Sequence, residues 1–396
     1  MKRLASAWLT EPAVQRLVAT FAASGIEARF VGGCVRDALL GVSAADIDLA
    51  TPARPEAVMA ALSAAKVKAL PTGLAHGTVT AVIPPRTFEI TTLRRDVATD
   101  GRHAKVAFNA GWEEDARRRD FTINAMYLAP DGTLYDPVGG EADLAAHRVR
   151  FVGDAATRIA EDVLRILRYY RFEARFGDGE GDAPARTACR AAIGKLLTLS
   201  AERVWRELRG LLSQPHPIRA LKMMRHDGVL AAILPEATRL DRLKSLLPLS
   251  SDPVLRLAAL IDIDEMDALA LADRLRFSKA ERDRLAGLMK PRQIDLGRDF
   301  TSLQVDLYLS EGPDYRDLAL LAAAEGKIDA DRLSELMEWS PPKFPITGRD
   351  VMDRGIAAGP RVGELLRQMR RWFAETGFVA TRRKCLSKLK QFVAQP

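Results

Sequence analysis

The hydrophobic pattern of this 396-residue chain changes its period once, near Ala145, and that change constrains the fold more than any other feature. Between Ala28 and Tyr135 the apolar residues come in short runs broken by Gly and Pro. Arg29-Phe30-Val31 reads as a strand running into Gly32-Gly33, and residues 47–50 as a second strand. Residues 78–83 and 87–93 read as a hairpin turning at Pro84-Pro85. Ahead of them, residues 11–23 read as an amphipathic helix with Val14, Leu17, Val18 and Phe21 on one face. Residues 96–110 hold few apolar side chains and read as a mobile loop. Beyond Ala145 the pattern is helical to the end. Residues 162–176 repeat with Val163, Leu167, Tyr170 and Ala174 on one face. Ser278-Lys279-Ala280-Glu281 is a capping box, and Asp252-Pro253 puts a proline at a helix start. The expected fold class is α+β: a small mixed α/β head followed by all-α domains, the length allowing roughly two to four domains.

Charge is uneven along the chain. Residues 341–396 carry twelve Lys/Arg against four Asp/Glu, a net +8 that exceeds the +7 of the whole. A basic tail on a near-neutral body fits a polyanionic partner, although a solvated helical surface has the same charge. No apolar run reaches about 18 residues, so no membrane span is expected. The first ten residues lack the apolar core of a secretory signal. Cys34, Cys189 and Cys385 are odd in number and far apart, which fits neither a disulfide framework nor a zinc site; a reducing cytoplasm is expected.

Asp46-Ile47-Asp48 is the most informative tripeptide. Side chains alternate along a strand, so Asp46 and Asp48 share one face while Ile47 and Leu49 enter the core. Two adjacent carboxylates repel unless a cation lies between them, and Mg²⁺ pairs one or two carboxylates with substrate phosphates. Asp-x-Asp also marks many turns and solvated edges. Upstream, Gly32-Gly33-Cys34-Val35-Arg36-Asp37 follows a strand, where glycines let backbone N–H groups approach phosphate. Arg36 is placed to neutralise a triphosphate or, alternatively, to pair with Asp37. Glu89 shares a strand face with Thr91, opposite Phe88 and Ile90. If that strand neighbours the Asp46/Asp48 strand, Glu89 adds a third carboxylate; otherwise it is a half-exposed sheet residue.

Gly32-Gly33-x-Val35-Arg36-Asp37 followed by Asp46-x-Asp48 resembles the signature of the DNA polymerase β-like nucleotidyltransferase superfamily. Further segments resemble, in order, those of its class II members, the CCA-adding enzymes and bacterial poly(A) polymerases. These are His76-Gly77-Thr78, Phe88-Glu89-Ile90-Thr91-Thr92-Leu93-Arg94 and Asp100-Gly101-Arg102-His103. Then come residues 118–126 (RRDFTINAM), Asp136-Pro137 with Gly139-Gly140, residues 161–168 (EDVLRILR) and residues 202–208 (ERVWREL). The likeness runs from about Phe30 to Leu212 and is weaker beyond.

The resemblance implies a template-independent enzyme adding CCA to tRNA from CTP and ATP. The RNA 3′-hydroxyl would attack the α-phosphate with two metals, Mg²⁺ by expectation, held by Asp46, Asp48 and Glu89. It implies Gly32, Gly33 and Arg36 at the phosphates, and Arg119, Asp120 and Asn124 at the nucleotide, with Asp120 an acceptor for ribose hydroxyls. Asp120 could instead cap a helix spanning residues 123–127. Asp162 and Arg165, at i and i+3 of one helix, would read the base, with Glu161 and Arg168 bracing them; the spacing also suits a surface ion pair. A carboxylate accepts from the amino group of cytosine or adenine while a guanidinium donates to the ring nitrogen. Uracil and guanine offer a carbonyl instead. The implied domains are a head at 1–145, a neck at 146–215, a body at 216–340 and a tRNA-binding tail at 341–396. The loop at 96–110 matches one used in switching from C to A. No membrane and no obligate protein partner are expected. Poly(A) addition, CC addition and a non-catalytic RNA-binding role are the rival readings.

Overall fold

The computed structural model describes residues 2–74, 77–99, 104–108, 110–290, 295–296, 298–309 and 315–393. The chain divides into two compact units, Met1–Pro235 and Glu236–Pro396. The expected head and neck fall in the first, and the expected tail falls in the second.

The first unit is built on a seven-stranded sheet. Its strands are β1 (Arg29–Val31), β2 (Ile47–Thr51), β3 (Lys68–Gly73), β4 (Thr78–Ile83), β5 (Arg86–Thr92), β8 (Tyr127–Leu128) and β9 (Leu134–Tyr135), in the order β3-β4-β5-β2-β1-β8-β9. All neighbours are antiparallel except β2 and β5, which run parallel. Alternation sorts their side chains: Ile47, Leu49, Phe88 and Ile90 are buried, while Asp48 and Glu89 face the other way. Helix α1 (Pro12–Ala23) precedes β1, α2 (Gly33–Leu39) follows β1, α3 (Pro55–Ala64) follows β2, α4 (Trp112–Arg117) precedes β8, and α5 (Gly140–Ala145) follows β9. The β4–β5 hairpin turns at Pro84-Pro85 as expected.

Three local expectations are corrected. Residues 96–110 are not wholly loop: β6 (Arg95–Thr99) pairs with β7 (Ala104–Ala107) in an antiparallel ribbon. The Asp100-Gly101-Arg102-His103 segment between them, and His76, lie outside the described residues. Residues 123–127 are not a helix: a 3₁₀ turn over Thr122–Asn124 leads into β8, whose residues pair with β1 and β9. Most important, residues 162–176 are not one helix. α6 (Ala155–Glu161) stops, Asp162 is extended (φ −151°, ψ 108°), and α7 (Arg165–Phe176) starts afresh. The Asp162 carboxylate accepts the Leu164 backbone N–H at 3.1 Å, the local competition by which Asp interrupts helices.

The remaining helices of this unit are α8 (Ala183–Ala191), α9 (Ala201–Leu212), α10 (Pro217–His226) and α11 (Val229–Ile233). α7 packs against α9 and α10, burying Ile166, Leu167, Tyr169, Tyr170 and Ala174. The second unit is helical in its described residues apart from an isolated bridge at Ala237 and Ile261. Helices Pro360–Glu375 and Arg382–Val393 form a core of Leu365, Met369, Phe373, Cys385 and Leu389, with Tyr308 packed on it.

Candidate active site

The site starts at the end of β1. Gly32 has φ 75° and ψ −122°, a conformation open to glycine, and turns the chain from the strand into α2. Across the sheet, the parallel register sets Asp48 against Glu89. Asp46, exposed, precedes β2. Burial and the negative charges of Glu89 and Asp46 push the Asp48 carboxyl up to about 6, against a smaller opposing pull from Arg119. A carboxylate so destabilised by its neighbours suits a hard divalent cation. Among the described residues no three His, Cys, Asp or Glu side chains converge as a ready cage.

Arg36 does not point where the sequence suggested. Its guanidinium is buried, with Nε and Nη2 donating to Asp37 Oδ1 at 3.0 and 2.8 Å. Nη1 donates to Asn124 Oδ1 at 2.6 Å, and the group lies over the Phe176 ring. The alternative ion pair with Asp37 is thus the one formed, and the reason is burial beneath Phe172 and Phe176 of α7. Asn124 passes the link on: its Nδ2 donates to Asp120 Oδ1 at 3.1 Å, and Arg168 donates to Asp120 Oδ2. Burial raises the Asp120 carboxyl, but Arg168, Asn124 and the Phe121 N–H together hold it down at about 2. Asp120, Asn124 and Arg36 are therefore one connected strut between the head and α7. Close packing fixes the turn that carries Asn124: a Cβ on Gly140 would stand 2.2 Å from the Thr122 carbonyl oxygen. Asp136 holds that glycine by accepting the Gly140 and Glu141 N–H groups at 2.8 and 2.9 Å.

Asp115, given no role from sequence, is a second hub. It is buried and accepts from Arg118 Nε at 2.8 Å, Arg119 Nη2 at 3.0 Å and the Tyr127 hydroxyl at 2.8 Å. Burial opposes its ionisation, but the two arginines and Tyr127 win and hold its carboxyl below the usual range. The i, i+3 and i, i+4 spacing to Arg118 and Arg119 was readable in the sequence.

Asp162 and Arg165 do not pair in this structure. Because a helix break separates them, Arg165 donates to Glu161 and to the carbonyls of Arg158 and Arg118. Asp162 instead takes Arg203 of α9, at 2.8 and 2.9 Å. Both still face one cavity of about 330 Å³ with Arg118, Arg119, Asp120, Leu164, Arg168, Arg203 and Arg206. Six guanidinium groups against two carboxylates make this cavity strongly positive, as a triphosphate requires. Arg119 connects it to the carboxylate pair, since its charge also acts on Asp48. Arg118, Arg203 and Arg206 are additions to the residues expected there.

Comparison with known proteins follows this geometry. Residues 28–150 match the poly A polymerase head domain, and residues 183–240 match the family described as a probable RNA and SrmB-binding site of polymerase A. The mitochondrial CCA tRNA nucleotidyltransferase 1 of Mus musculus is 37% identical over 392 residues, 96% of this chain and 90% of that protein. The CCA-adding enzyme of Streptococcus gordonii is 33% identical over 88% of this chain and 89% of its own length. Among solved structures, the Bacillus stearothermophilus CCA-adding enzyme in complex with CTP superposes with a TM-score of 0.74 at 26% identity, covering 96% of this chain and 98% of its own.

Proposed function

The chain belongs to the family of CCA tRNA nucleotidyltransferases and adds CCA to tRNA, and we propose that it does so by attack of the RNA 3′-hydroxyl on the α-phosphate of CTP or ATP, releasing pyrophosphate. One observation carries this reading: an arginine-lined cavity stands beside a strained carboxylate pair, with Arg119 acting on both.

Asp46, Asp48 and Glu89 would hold Mg²⁺, which when bound favours ionisation of the attacking hydroxyl and neutralises charge on the phosphate oxygens. The protein's own part is positioning and charge, which carry most of phosphoryl transfer. Arg119, fixed by Asp115, meets the triphosphate on the carboxylate side of the cavity. Arg118 and Arg206 add positive charge around it. Asp120 keeps its negative charge at neutral pH, and because Asn124, the Phe121 N–H and Arg168 occupy both its oxygens, it accepts from a ribose hydroxyl by giving up one of these donors. Gly32 and Gly33 let the backbone approach phosphate. Arg36, turned inward, supports Asn124 rather than meeting substrate.

Asp162 and Arg165 read the base. The carboxylate accepts the exocyclic amino group shared by cytosine and adenine, and the guanidinium donates to the adjacent ring nitrogen. A uracil or guanine carbonyl opposite Asp162 leaves groups unpaired, at about 1–3 kcal/mol each. The neck at 146–215 is thus the base-reading element, the head at 1–145 the catalytic one. The body at 216–340 leads to the tail at 341–396, whose excess of twelve basic over four acidic residues holds tRNA phosphates by charge and shape. No helix among the described residues is long and apolar enough to cross a membrane. The mouse relative is mitochondrial by name, so the family is compatible with more than the expected cytoplasm.

The test uses a tRNA lacking its last three nucleotides, Mg²⁺, and CTP alone, ATP alone or both. Two C residues from CTP, then one A only with ATP present, is the expected result. Arrest after two C residues would make the enzyme CC-adding. A long A tail from ATP alone would favour poly(A) polymerase, and no extension would overturn the catalytic assignment.

A further inference from the structure

The carboxylate assigned to base reading is already held by a residue with no role in the reaction so far. Arg203 Nη2 donates to Asp162 Oδ1 at 2.9 Å and to Oδ2 at 2.8 Å. The two side chains are 24% and 28% exposed, so the pair is shielded yet open to the cavity they share. Arg203 lies in the first turn of α9, and Asp162 in the break between α6 and α7. Their pairing therefore spans two elements at the cavity wall. Arg165 takes no part in holding Asp162, being engaged with Glu161 and two backbone carbonyls.

A carboxylate offers about four lone-pair positions on its two oxygens. Arg203 uses one on each, and the Leu164 N–H takes another on Oδ1. What remains lies on Oδ2, so the two donors together fix the rotation of the carboxylate about its Cβ–Cγ bond. We propose that Arg203 is the positioning residue for base selection: it aims the open face of Asp162 at the incoming base, so that an amino group is accepted and a carbonyl refused. This rests on the reading of Asp162 as base reader. Without Arg203 only the Leu164 N–H holds the carboxylate, on one oxygen, so its open face loses its aim, and a water between it and a carbonyl makes uracil or guanine tolerable.

The experiment compares single-turnover incorporation of all four nucleotides by wild type, Arg203→Ala, Arg203→Lys and Asp162→Asn, with thermal unfolding of each. Arg203→Ala is expected to raise incorporation of UTP and GTP relative to CTP and ATP by roughly tenfold, the scale of one lost directional hydrogen bond to a charged group. Arg203→Lys, which keeps a charged donor, is expected to recover most of the discrimination. A merely structural tie between α9 and the α6–α7 break would lower the unfolding temperature and slow all four nucleotides in parallel. Unchanged ratios in both Arg203 variants, whatever the overall rate, overturn the inference provided Asp162→Asn does relax base choice. Unchanged ratios in Asp162→Asn would instead remove the base-reading assignment on which it rests.

Discussion

Asp48 and Glu89 stand opposite one another across the parallel pair of β2 and β5, in register from Ile47 against Phe88 to Thr51 against Thr92. Parallel neighbours place equivalent faces side by side, so two carboxylates from distant parts of the sequence meet on the face away from the Phe88 and Ile90 core. Such an arrangement is a liability for folding alone, as the upward displacement of the Asp48 carboxyl shows. Its chemical use is in binding positive charge.

Asp48→Ala is accordingly expected to abolish nucleotide incorporation while leaving tRNA affinity largely intact. Loss of charge stabilisation worth several kcal/mol corresponds to a fall of roughly a thousandfold or more. Single-turnover incorporation alongside filter binding of tRNA separates the two properties. Substantial turnover by the variant would remove Asp48 from the reacting centre; a parallel loss of tRNA binding would show that the variant is misfolded.

Arg165→Ala is expected to relax base choice more than it weakens triphosphate binding. Its guanidinium is anchored by Glu161 and two carbonyls, while five other arginines remain in the cavity to meet phosphate. The Kd for CTP should therefore shift only a few-fold, and the CTP-over-UTP ratio should fall by roughly tenfold. Competition between labelled nucleotides measures it. An unchanged preference for C and A would exclude Arg165 from base reading.

Asp115→Ala should harm both stability and substrate use. It strands two partly buried guanidinium groups and the Tyr127 hydroxyl, and removing one partner of a buried ion pair costs about 3–5 kcal/mol. Asp115→Asn keeps the shape and is the milder probe. It is expected to raise KM for nucleotides with little change in kcat, because Arg119 would lose its fixed aim rather than its charge. Denaturant unfolding and steady-state kinetics on the same preparations test this. A normal KM in a folded Asp115→Asn would show that Arg119 needs no such support.

Much of this was legible in the sequence, and the failures have physical causes. Period-two alternation and glycine punctuation located β1, β2 and the β4–β5 hairpin, because those signals are local. The β2–β5 neighbourhood, which makes Glu89 a partner of Asp48, could be stated only as a condition, since sheet order is set by non-local packing. Helical periodicity continued through residues 162–164, yet one carboxylate-to-amide hydrogen bond was enough to end α6 and re-aim Asp162. Arg36 looked like a phosphate ligand from its motif. Its burial against Phe172 and Phe176 depends on a helix more than a hundred residues away in sequence. Arg203 likewise stood inside a quoted segment with no role, its partner 41 positions distant.

Glu173 supplies a test of the fold that is independent of catalysis. It is 3% exposed on α7, its Oε2 has no hydrogen-bond partner, and burial pushes its carboxyl up from 4.5 to about 8 against a smaller opposing pull from Tyr169. The sign follows from linkage. In the folded protein the group keeps its proton to higher pH than in the unfolded chain, so the native state binds more protons between these two values. Stability from this source is complete below about 4.5, declines as pH rises, and is lost above about 8. Glu173→Gln imitates the protonated form and should remove that decline. The difference between variant and wild type should therefore grow from pH 5 to pH 9 in the variant's favour, reaching the order of a few kcal/mol. Urea unfolding across that range measures it directly. A difference that stays constant with pH would mean that Glu173 ionises normally in the folded protein, through rearrangement or water entry around α7.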